Sequence, residues 1–71
     1  MTPPRPHRKG PLLRHVDLGI EIHAEWDDGC GWYELIEVGI ADPSRRRHIG
    51  VAEDLHEAGQ EAREYIKELQ S

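Results

Sequence analysis

The chain contains a single cysteine, and this limits how the fold can be held together. Cys30 has no second cysteine to pair with, so an intrachain disulfide and a cysteine-based zinc clamp are both excluded. A lone thiol fits a reducing compartment, so we expect a cytoplasmic location. Association with a second copy or a partner is then the common remaining way to stabilise so small a core.

The sequence also has no long apolar run. No segment approaches the length of a membrane span, and the N-terminus has no apolar core of the signal-peptide kind. The 71 residues make one small domain, and a chain of this size buries only about 60% of its unfolded surface. We therefore expect marginal stability, no membrane contact and no cofactor.

Charge is unevenly distributed. Residues 1–15 carry Arg5, Arg8, Lys9 and Arg14 and no acid, a charge of +4. Residues 16–71 carry 14 acids against five Lys and Arg, a charge of −9, so the sum is −5. We interpret 1–15 as a basic, proline-rich arm that is extended or disordered, and 16–71 as a single acidic domain. An acidic domain disfavours phosphate backbones and favours basic protein surfaces.

Alternating apolar residues predict three antiparallel strands. In the first, 16–26, every even position is apolar, which is typical of a strand with one buried face. A five-residue turn, 27–31, leads to a second strand over 32–41, and a third covers about 47–52. The predicted inner residues are Ile36, Val38 and Ile40 on the second strand, and Ile49 and Val51 on the third. Tyr33 and Leu35 have the opposite parity, so either a bulge lies near Leu35–Ile36 or the hairpin tip is covered on both faces.

A helix follows the strands. Asp54 is a good N-cap, Glu57 completes a capping box, and apolar residues recur at helical spacing from Leu55 to Leu69. The helix is predicted over about 55–70. The predicted fold is α+β, a three-stranded antiparallel meander with the C-terminal helix packed on one face and an extended N-terminal arm. The first strand is terminal in this sheet and has an unguarded edge, which favours a homodimer.

The predicted register places a mixed set of residues on the open face of the sheet. A five-residue turn pairs Trp26 with Trp32 and Ile22 with Ile36. The alternate residues of these strands then lie on the open face. The predicted partner-binding residues are Glu21, His23, Glu25, Glu37, His48, Gly19, Gly39 and Gly50. Glycines in a strand often mark close approach by another molecule, and facing glutamates favour a cation between them. Either a basic partner or the protein's own arm could lie there.

Aromatic and basic groups offer further candidates. Trp26, Trp32 and Tyr33 gather at the hairpin tip, where they either form a lid on the core or, if exposed, a binding hot spot. Arg45, Arg46 and Arg47 are expected to pair with neighbouring acids or a partner carboxylate. Alternatively, they contact nucleic acid together with Arg5, Arg8, Lys9 and Arg14.

Metal binding and catalysis have weaker signals. The ligand-type side chains are His7, His15, His23, His48, His56 and Cys30, and none has a spacing that forces a site. Glu21, His23 and Glu25 share a face but are more typical of a solvated polar surface. The nearest catalytic candidates are His48 with Glu37, and Cys30 with a histidine. Nucleophile, base and oxyanion donors do not occur together, so we expect neither an enzyme nor a metal centre.

The stretch from Arg45 to Tyr65, in which Arg45-Arg46-Arg47-His48-Ile49-Gly50-Val51 leads into an alanine-containing helix, resembles two DNA-binding modules. These are the plant AP2 domains and the arm-binding domains of phage integrases. The resemblance implies three strands plus a helix, with basic side chains on the open face lying in the DNA major groove. Here that face is predicted to carry Asp17, Glu21, Glu25 and Glu37, so we expect duplex DNA not to be the partner.

The sequence as a whole favours a small non-enzymatic protein-binding module, an inhibitor or adaptor that presents an acidic sheet face to a basic partner. It looks like the compact acidic inhibitors encoded by phages and mobile elements, such as anti-CRISPR proteins, and this is an analogy only. The alternatives are a nucleic-acid-binding module and a structural homodimer subunit.

Overall fold

The computed structural model of the protein describes residues 10–71, so the predictions for Arg5, His7, Arg8 and Lys9 lie outside the described residues. Four strands precede one helix. The strands are β1 (Leu13–His15), β2 (Ile20–Asp27), β3 (Trp32–Gly39) and β4 (Arg46–Ala52), and the helix is α1 (Leu55–Leu69). The strands form one antiparallel sheet in the order β1-β2-β3-β4. The α+β meander with a C-terminal helix is confirmed, and the strand count is corrected from three to four.

The helix packs on one face of the sheet, which we call the inner face. Its buried residues Ala58, Ala62 and Ile66 recur at i, i+4 and i+8, as one stripe of a helix requires. Ala62 and Ile66 pack against Ile20 and Ile22 of β2. Ala58 packs against Leu35 of β3 and Ala52 of β4. The helix therefore crosses the sheet diagonally from β4 towards β1.

The fourth strand, β1, comes from the end of the predicted arm. Leu13 pairs with Ile22 and His15 with Ile20, and the Leu12 amide donates to the Ile22 carbonyl over 2.8 Å. Residues 16–19, predicted to begin the first strand, instead form the turn between β1 and β2. The long strand with alternating residues is consequently not terminal in the sheet along Ile20–Ile22. The unguarded edge expected there is wrong for that stretch, because three backbone pairs cover it.

The β2–β3 register differs from the prediction by one residue. Asp27 pairs with Trp32, so the turn has four residues, 28–31, in place of five. The Asp27 carboxylate accepts hydrogen bonds from the Gly29 and Cys30 amides, and Gly31 adopts a φ of 77° that favours glycine. Side chains alternate between faces, so a one-residue change moves every β3 side chain to the other face.

The new register reverses the predicted faces of β3. Tyr33 and Leu35 point inward and are each 1% exposed, whereas Ile36 and Val38 lie on the face away from the helix. The predicted inner set Ile36, Val38 and Ile40 is therefore wrong. Leu35 packs against Ala58 of the helix, and both inward side chains are among the largest fully buried groups of the described chain.

A bulge in β4 changes its faces as well. Leu35 pairs with Gly50 but Ile36 pairs with His48, so Ile49 is an extra residue in β4. The irregularity predicted near Leu35–Ile36 is confirmed at that position along the sheet, although the extra residue lies in β4 and not in β3. Ile49 still packs against the core, as predicted. Val51 faces away from the helix and is 43% exposed, so its predicted inward position is wrong.

The helix begins and ends close to where the sequence predicts. The Asp54 carboxylate accepts a hydrogen bond from the Glu57 amide over 2.8 Å, and the Glu57 carboxylate accepts one from the Glu53 amide over 2.6 Å. Both bonds satisfy backbone donors at the start of the helix. At the other end, the Gln70 side chain is hydrogen-bonded to His15 of β1. The helix is thus anchored at both ends.

Candidate functional site

The face of the sheet opposite the helix, which we call the outer face, is an organised polar surface. It comprises Arg14, Glu21, His23, Glu25, Asp27, Trp32, Glu34, Ile36, Val38, Arg46, His48 and Val51. Four carboxylates oppose two guanidinium groups, which leaves a charge of −2 when both histidines are neutral. Apolar contact area is present too, since Trp32 is 37% exposed.

Hydrogen-bonded charge pairs cross the outer face. Glu21 accepts from Arg14 over 3.2 Å and is bonded to His23 over 3.0 Å. Arg46 on β4 donates to Glu25 on β2 over 2.7 Å. The Arg46 side chain therefore crosses β3 on the outer face, where Val38 is only 7% exposed. Arg46 and Glu25 are each about half exposed, and an exposed pair of this kind contributes about 0–1 kcal/mol.

The acidic end of the outer face lies beside the hairpin tip. Glu34 accepts a hydrogen bond from the Trp32 indole over 2.5 Å and is also bonded to His48 of β4. Asp27 and Glu25 of β2 lie across from these residues. Glu34 and Asp27 were not among the predicted site residues. Asp27 shares the parity of Glu21 and Glu25 within β2, and the four-residue turn places Glu34 of β3 on the same face.

The predicted partner-binding residues are divided between the two faces. Glu21, His23, Glu25 and His48 lie together on the outer face, as the alternation suggested. Glu37, Gly39 and Gly50 belong to the inner face, because the corrected register pairs Glu37 with Ile22 and Gly39 with Ile20. Gly19 lies in the β1–β2 turn, where its carbonyl accepts from the Ile40 amide. The predicted grouping of Gly19, Gly39 and Gly50 on an open sheet face therefore does not form.

Glu37 has a structural partner on the inner face. The Tyr65 hydroxyl of the helix donates a hydrogen bond to its carboxylate. Burial and this bond raise the pKa of Tyr65, so the hydroxyl remains protonated and continues to donate. His48 points to the other side of the sheet, so the candidate catalytic pair of His48 and Glu37 is not assembled.

The aromatic residues of the hairpin tip also separate. Tyr33 is buried, and Trp26 packs edge-on against it at a ring-centroid distance of 5.0 Å. These two rings form the lid on the core. Trp32 alone lies on the outer face, so of the three predicted hot-spot residues it is the one available to a partner there.

The Tyr33 hydroxyl leads to a prediction about alkaline stability. It is buried with no hydrogen-bond partner among residues 10–71, and an unsatisfied polar group of this kind lowers stability. Burial, followed by the negative charge of Asp54, raises the pKa of Tyr33 above its usual 10.0. The folded state then holds this proton more tightly than the unfolded state, so stability is retained below the unfolded pKa and falls as the pH rises above it.

Tyr33→Phe should therefore raise the free energy of unfolding by up to about 1 kcal/mol at neutral pH. Its advantage over wild type should increase at about pH 11, where only wild type loses the contribution of this proton. Urea unfolding followed by circular dichroism at both pH values measures the difference. A variant less stable than wild type at neutral pH would show that the hydroxyl does have a partner.

A second polar surface lies at a corner of the inner face that the helix leaves uncovered. A depression of about 580 Å³ is bounded there by the end of β3, the start of β4 and two turns. Its lining residues are Leu18, Gly19, Ile20, Glu37, Gly39, Ala41, Asp42, Ser44, Arg45, Arg46 and Arg47. We call it the arginine corner. A Cβ atom on Gly39 would lie 3.0 Å from the Asp42 carbonyl oxygen, so glycine allows the β3–β4 turn to close.

Only one of the three consecutive arginines pairs with an acid. Arg46 bonds to Glu25 on the outer face. Within residues 10–71, no carboxylate oxygen lies within 4.0 Å of Arg45 or Arg47. The predicted pairing with neighbouring acids therefore applies to Arg46 but not to the other two. Strand alternation is the reason, because it directs Arg46 outward and Arg47 inward.

Ligand-type side chains also meet at the β2–β3 turn. One side-chain atom each from Asp27, Cys30 and Glu34 lies within 4.8 Å of the other two. Asp27 already holds the turn amides. Local desolvation, the hydrogen bond to Asp27 and the negative charges of Asp27 and Glu34 raise the pKa of the exposed Cys30 thiol. The thiol is thus in its protonated, less reactive form. No histidine of residues 10–71 belongs to this group, so the predicted pairing of Cys30 with a histidine is not seen among them.

Comparison of the chain with protein-family models, curated proteins and solved structures finds no match. Within the described residues, no helix has both the length and the apolar character needed to cross a membrane.

Proposed function

We propose that the protein is a small non-enzymatic protein-binding module, an inhibitor or adaptor whose outer face docks a partner with a basic surface. One observation carries the proposal. The sheet presents a whole face on which four carboxylates outnumber two guanidinium groups, while the helix packs on the other side. Charge complementarity of this kind guides association and selects partners. The compact, acidic character also fits inhibitors encoded by phages and mobile elements, which is an analogy.

The acidic end of the outer face is the proposed centre of contact. Glu25, Asp27 and Glu34 surround Trp32 there, so an apolar anchor lies among carboxylates. Exposed tryptophan is enriched at interface hot spots, and a ring of polar residues around it is typical of such sites. A lysine or arginine of the partner would replace Arg46 or His48 as the counter-charge of Glu25 or Glu34.

The experiment compares two charge reversals of equal size. Glu25→Lys/Glu34→Lys changes the outer face, and Glu61→Lys/Glu68→Lys makes the same change of charge on exposed helix residues. Each tagged variant is used for affinity capture from the native cell at fixed salt, with quantitative mass spectrometry. We expect a basic protein captured by wild type to be lost with the sheet variant and retained with the helix variant.

Two measurements guard against an indirect effect. Melting curves must show that the sheet variant stays folded, and solvent-facing changes normally alter stability by only about 0.5 kcal/mol. Trp32→Ala, which leaves the charges in place, should also weaken capture. If the helix reversal abolishes capture while the sheet reversal does not, the helix is the binding element and the proposal is wrong.

A homodimer subunit is the second candidate function, and the free edge of β4 favours it. Within residues 10–71, β4 pairs with β3 on one side only, and it continues past the arginines as His48-Ile49-Gly50-Val51-Ala52, with no proline or lysine. We expect two copies to associate through this edge or through their sheet faces. Light scattering at high micromolar concentration measures the mass, and a monomer there contradicts this candidate.

A nucleic-acid-binding module remains the third candidate, through the basic arm and the arginines at positions 45–47. The unpaired guanidinium groups of Arg45 and Arg47 favour it. Binding to oligonucleotides that weakens steeply with salt would distinguish it from the protein-binding module.

A further inference from the structure

The geometry points to a binding site for a phosphate monoester in the arginine corner, formed by the guanidinium groups of Arg45 and Arg47. The site lies at a corner of the inner face and does not rest on the proposed function, although Arg46 borders both surfaces. A volume of about 580 Å³ falls within the range of about 300–1,000 Å³ that small-molecule sites occupy.

The charges of the corner are the first argument. Asp42 is engaged by Ser44, whose hydroxyl and amide donate to its carboxylate over 2.6 and 3.2 Å. These bonds hold the pKa of Asp42 below its usual value. Glu37 is engaged by Tyr65. Arg45 and Arg47 line the same depression and have no carboxylate within 4.0 Å among the described residues. The corner therefore contains two guanidinium groups without an ion pair, beside two carboxylates that keep their negative charge and accept hydrogen bonds from hydroxyl groups.

The backbone around Arg45 supports a defined geometry. Its amide donates to the Asp42 carbonyl over 3.0 Å, and its carbonyl accepts from the Gly39 amide over 3.0 Å. Arg47 is held two residues later in β4, opposite Glu37. The backbone is thus hydrogen-bonded in place at Arg45 and Arg47, on either side of Arg46. Guanidinium groups bind phosphate oxygens through paired, charge-assisted hydrogen bonds.

Charge also decides which kind of phosphate fits. A phosphate monoester carries up to two negative charges, which two guanidinium groups neutralise. Residues 10–71 carry six Lys and Arg against 14 acids, a charge of −8, so a long polyanion would be repelled beyond the corner. Leu18 and Ile20 line one side of the depression and offer an apolar wall for the group that bears the phosphate.

The test is a titration of the full chain followed by ¹H–¹⁵N NMR, with inorganic phosphate and adenosine monophosphate as separate probes. Amide shifts should be centred on Gly39 and Ser44. Arg45→Gln/Arg47→Gln should weaken binding of both probes by about tenfold, which is a loss of about 1.4 kcal/mol of binding free energy. Tighter binding of the nucleotide than of inorganic phosphate would show that the apolar wall contributes.

Two control variants have different expected effects on phosphate binding. Arg63→Gln/Lys67→Gln removes the same charge from the helix and should leave binding unchanged. Glu37→Gln removes the one acid opposite Arg47 while retaining an acceptor for Tyr65, so it should strengthen binding. Equal weakening in the helix control, or no effect of Glu37→Gln, would overturn the site. An oligonucleotide that binds through Arg45 and Arg47 more tightly than either probe would overturn it in favour of nucleic acid.

Discussion

Replacing Leu35 by alanine is expected to lower the free energy of unfolding by about 2–5 kcal/mol, the range for a buried leucine. Replacing its neighbour Ile36 by alanine should cost about 1 kcal/mol or less, because it loses only partial burial. Leu35 is 1% exposed and packs against Ala52 and Ala58. Ile36 lies on the outer face, where no helix covers it. Two adjacent apolar residues of similar size should therefore differ greatly.

Urea unfolding of both variants measures the contrast. A domain this small has little stability to lose, so Leu35→Ala could be unfolded in buffer. Leu35→Val and Ile36→Val form a milder pair, in which the leucine variant should again be the less stable. Greater loss at Ile36 than at Leu35 would mean that β3 has the register predicted from a five-residue turn.

The contrast shows where sequence-based reasoning reached its limit. The alternation of β2 identifies its inner residues Ile20, Ile22 and Ala24 correctly. The faces of β3 depend on whether the turn has four or five residues, and both Ile36–Val38 and Tyr33–Leu35 are plausible inner pairs. The Asp27 side chain decides between them by bonding the Gly29 and Cys30 amides, which fixes a four-residue turn. Composition alone does not reveal this bond.

The helix was predictable because its signals are local. Asp54 and Glu57 supply the start, and the apolar stripe from Leu55 to Leu69 sets the length. The strand β1 had no such signal. It is three residues long, and it is ordered by pairing with β2 at positions distant in sequence. An extended arm was thus a fair description of its conformation but not of its place in the sheet.

The candidate site was predictable to the extent that it lies on β2. Glu21, His23 and Glu25 share a face whatever the register of the hairpin, since alternation within one strand is enough. Glu37, Gly39 and Gly50 depended on pairing across strands, and all three moved to the inner face. The three arginines appeared equivalent in the sequence. Their division between two surfaces depends on where β4 begins and on its pairing with β3.

Replacing Tyr65 by phenylalanine is expected to lower the free energy of unfolding by about 1.5 kcal/mol, the lower value for a hydrogen bond to a charged group. The Tyr65 hydroxyl donates to the Glu37 carboxylate, and both residues are half-buried between the helix and the sheet. The substitution removes the donor and leaves the carboxylate partly desolvated. Glu37→Gln should cost less, because its amide oxygen still accepts the same hydrogen bond.

A double-mutant cycle isolates the pair from other effects. Tyr65→Phe, Glu37→Leu and the double variant are unfolded in urea, and the coupling energy should be at least about 0.5 kcal/mol, as for residues in direct contact. Tyr65 also packs against the core cluster of Ile20, Ile22, Ala62 and Ile66, and phenylalanine preserves that contact. A coupling energy near zero would therefore mean that packing alone holds this part of the helix.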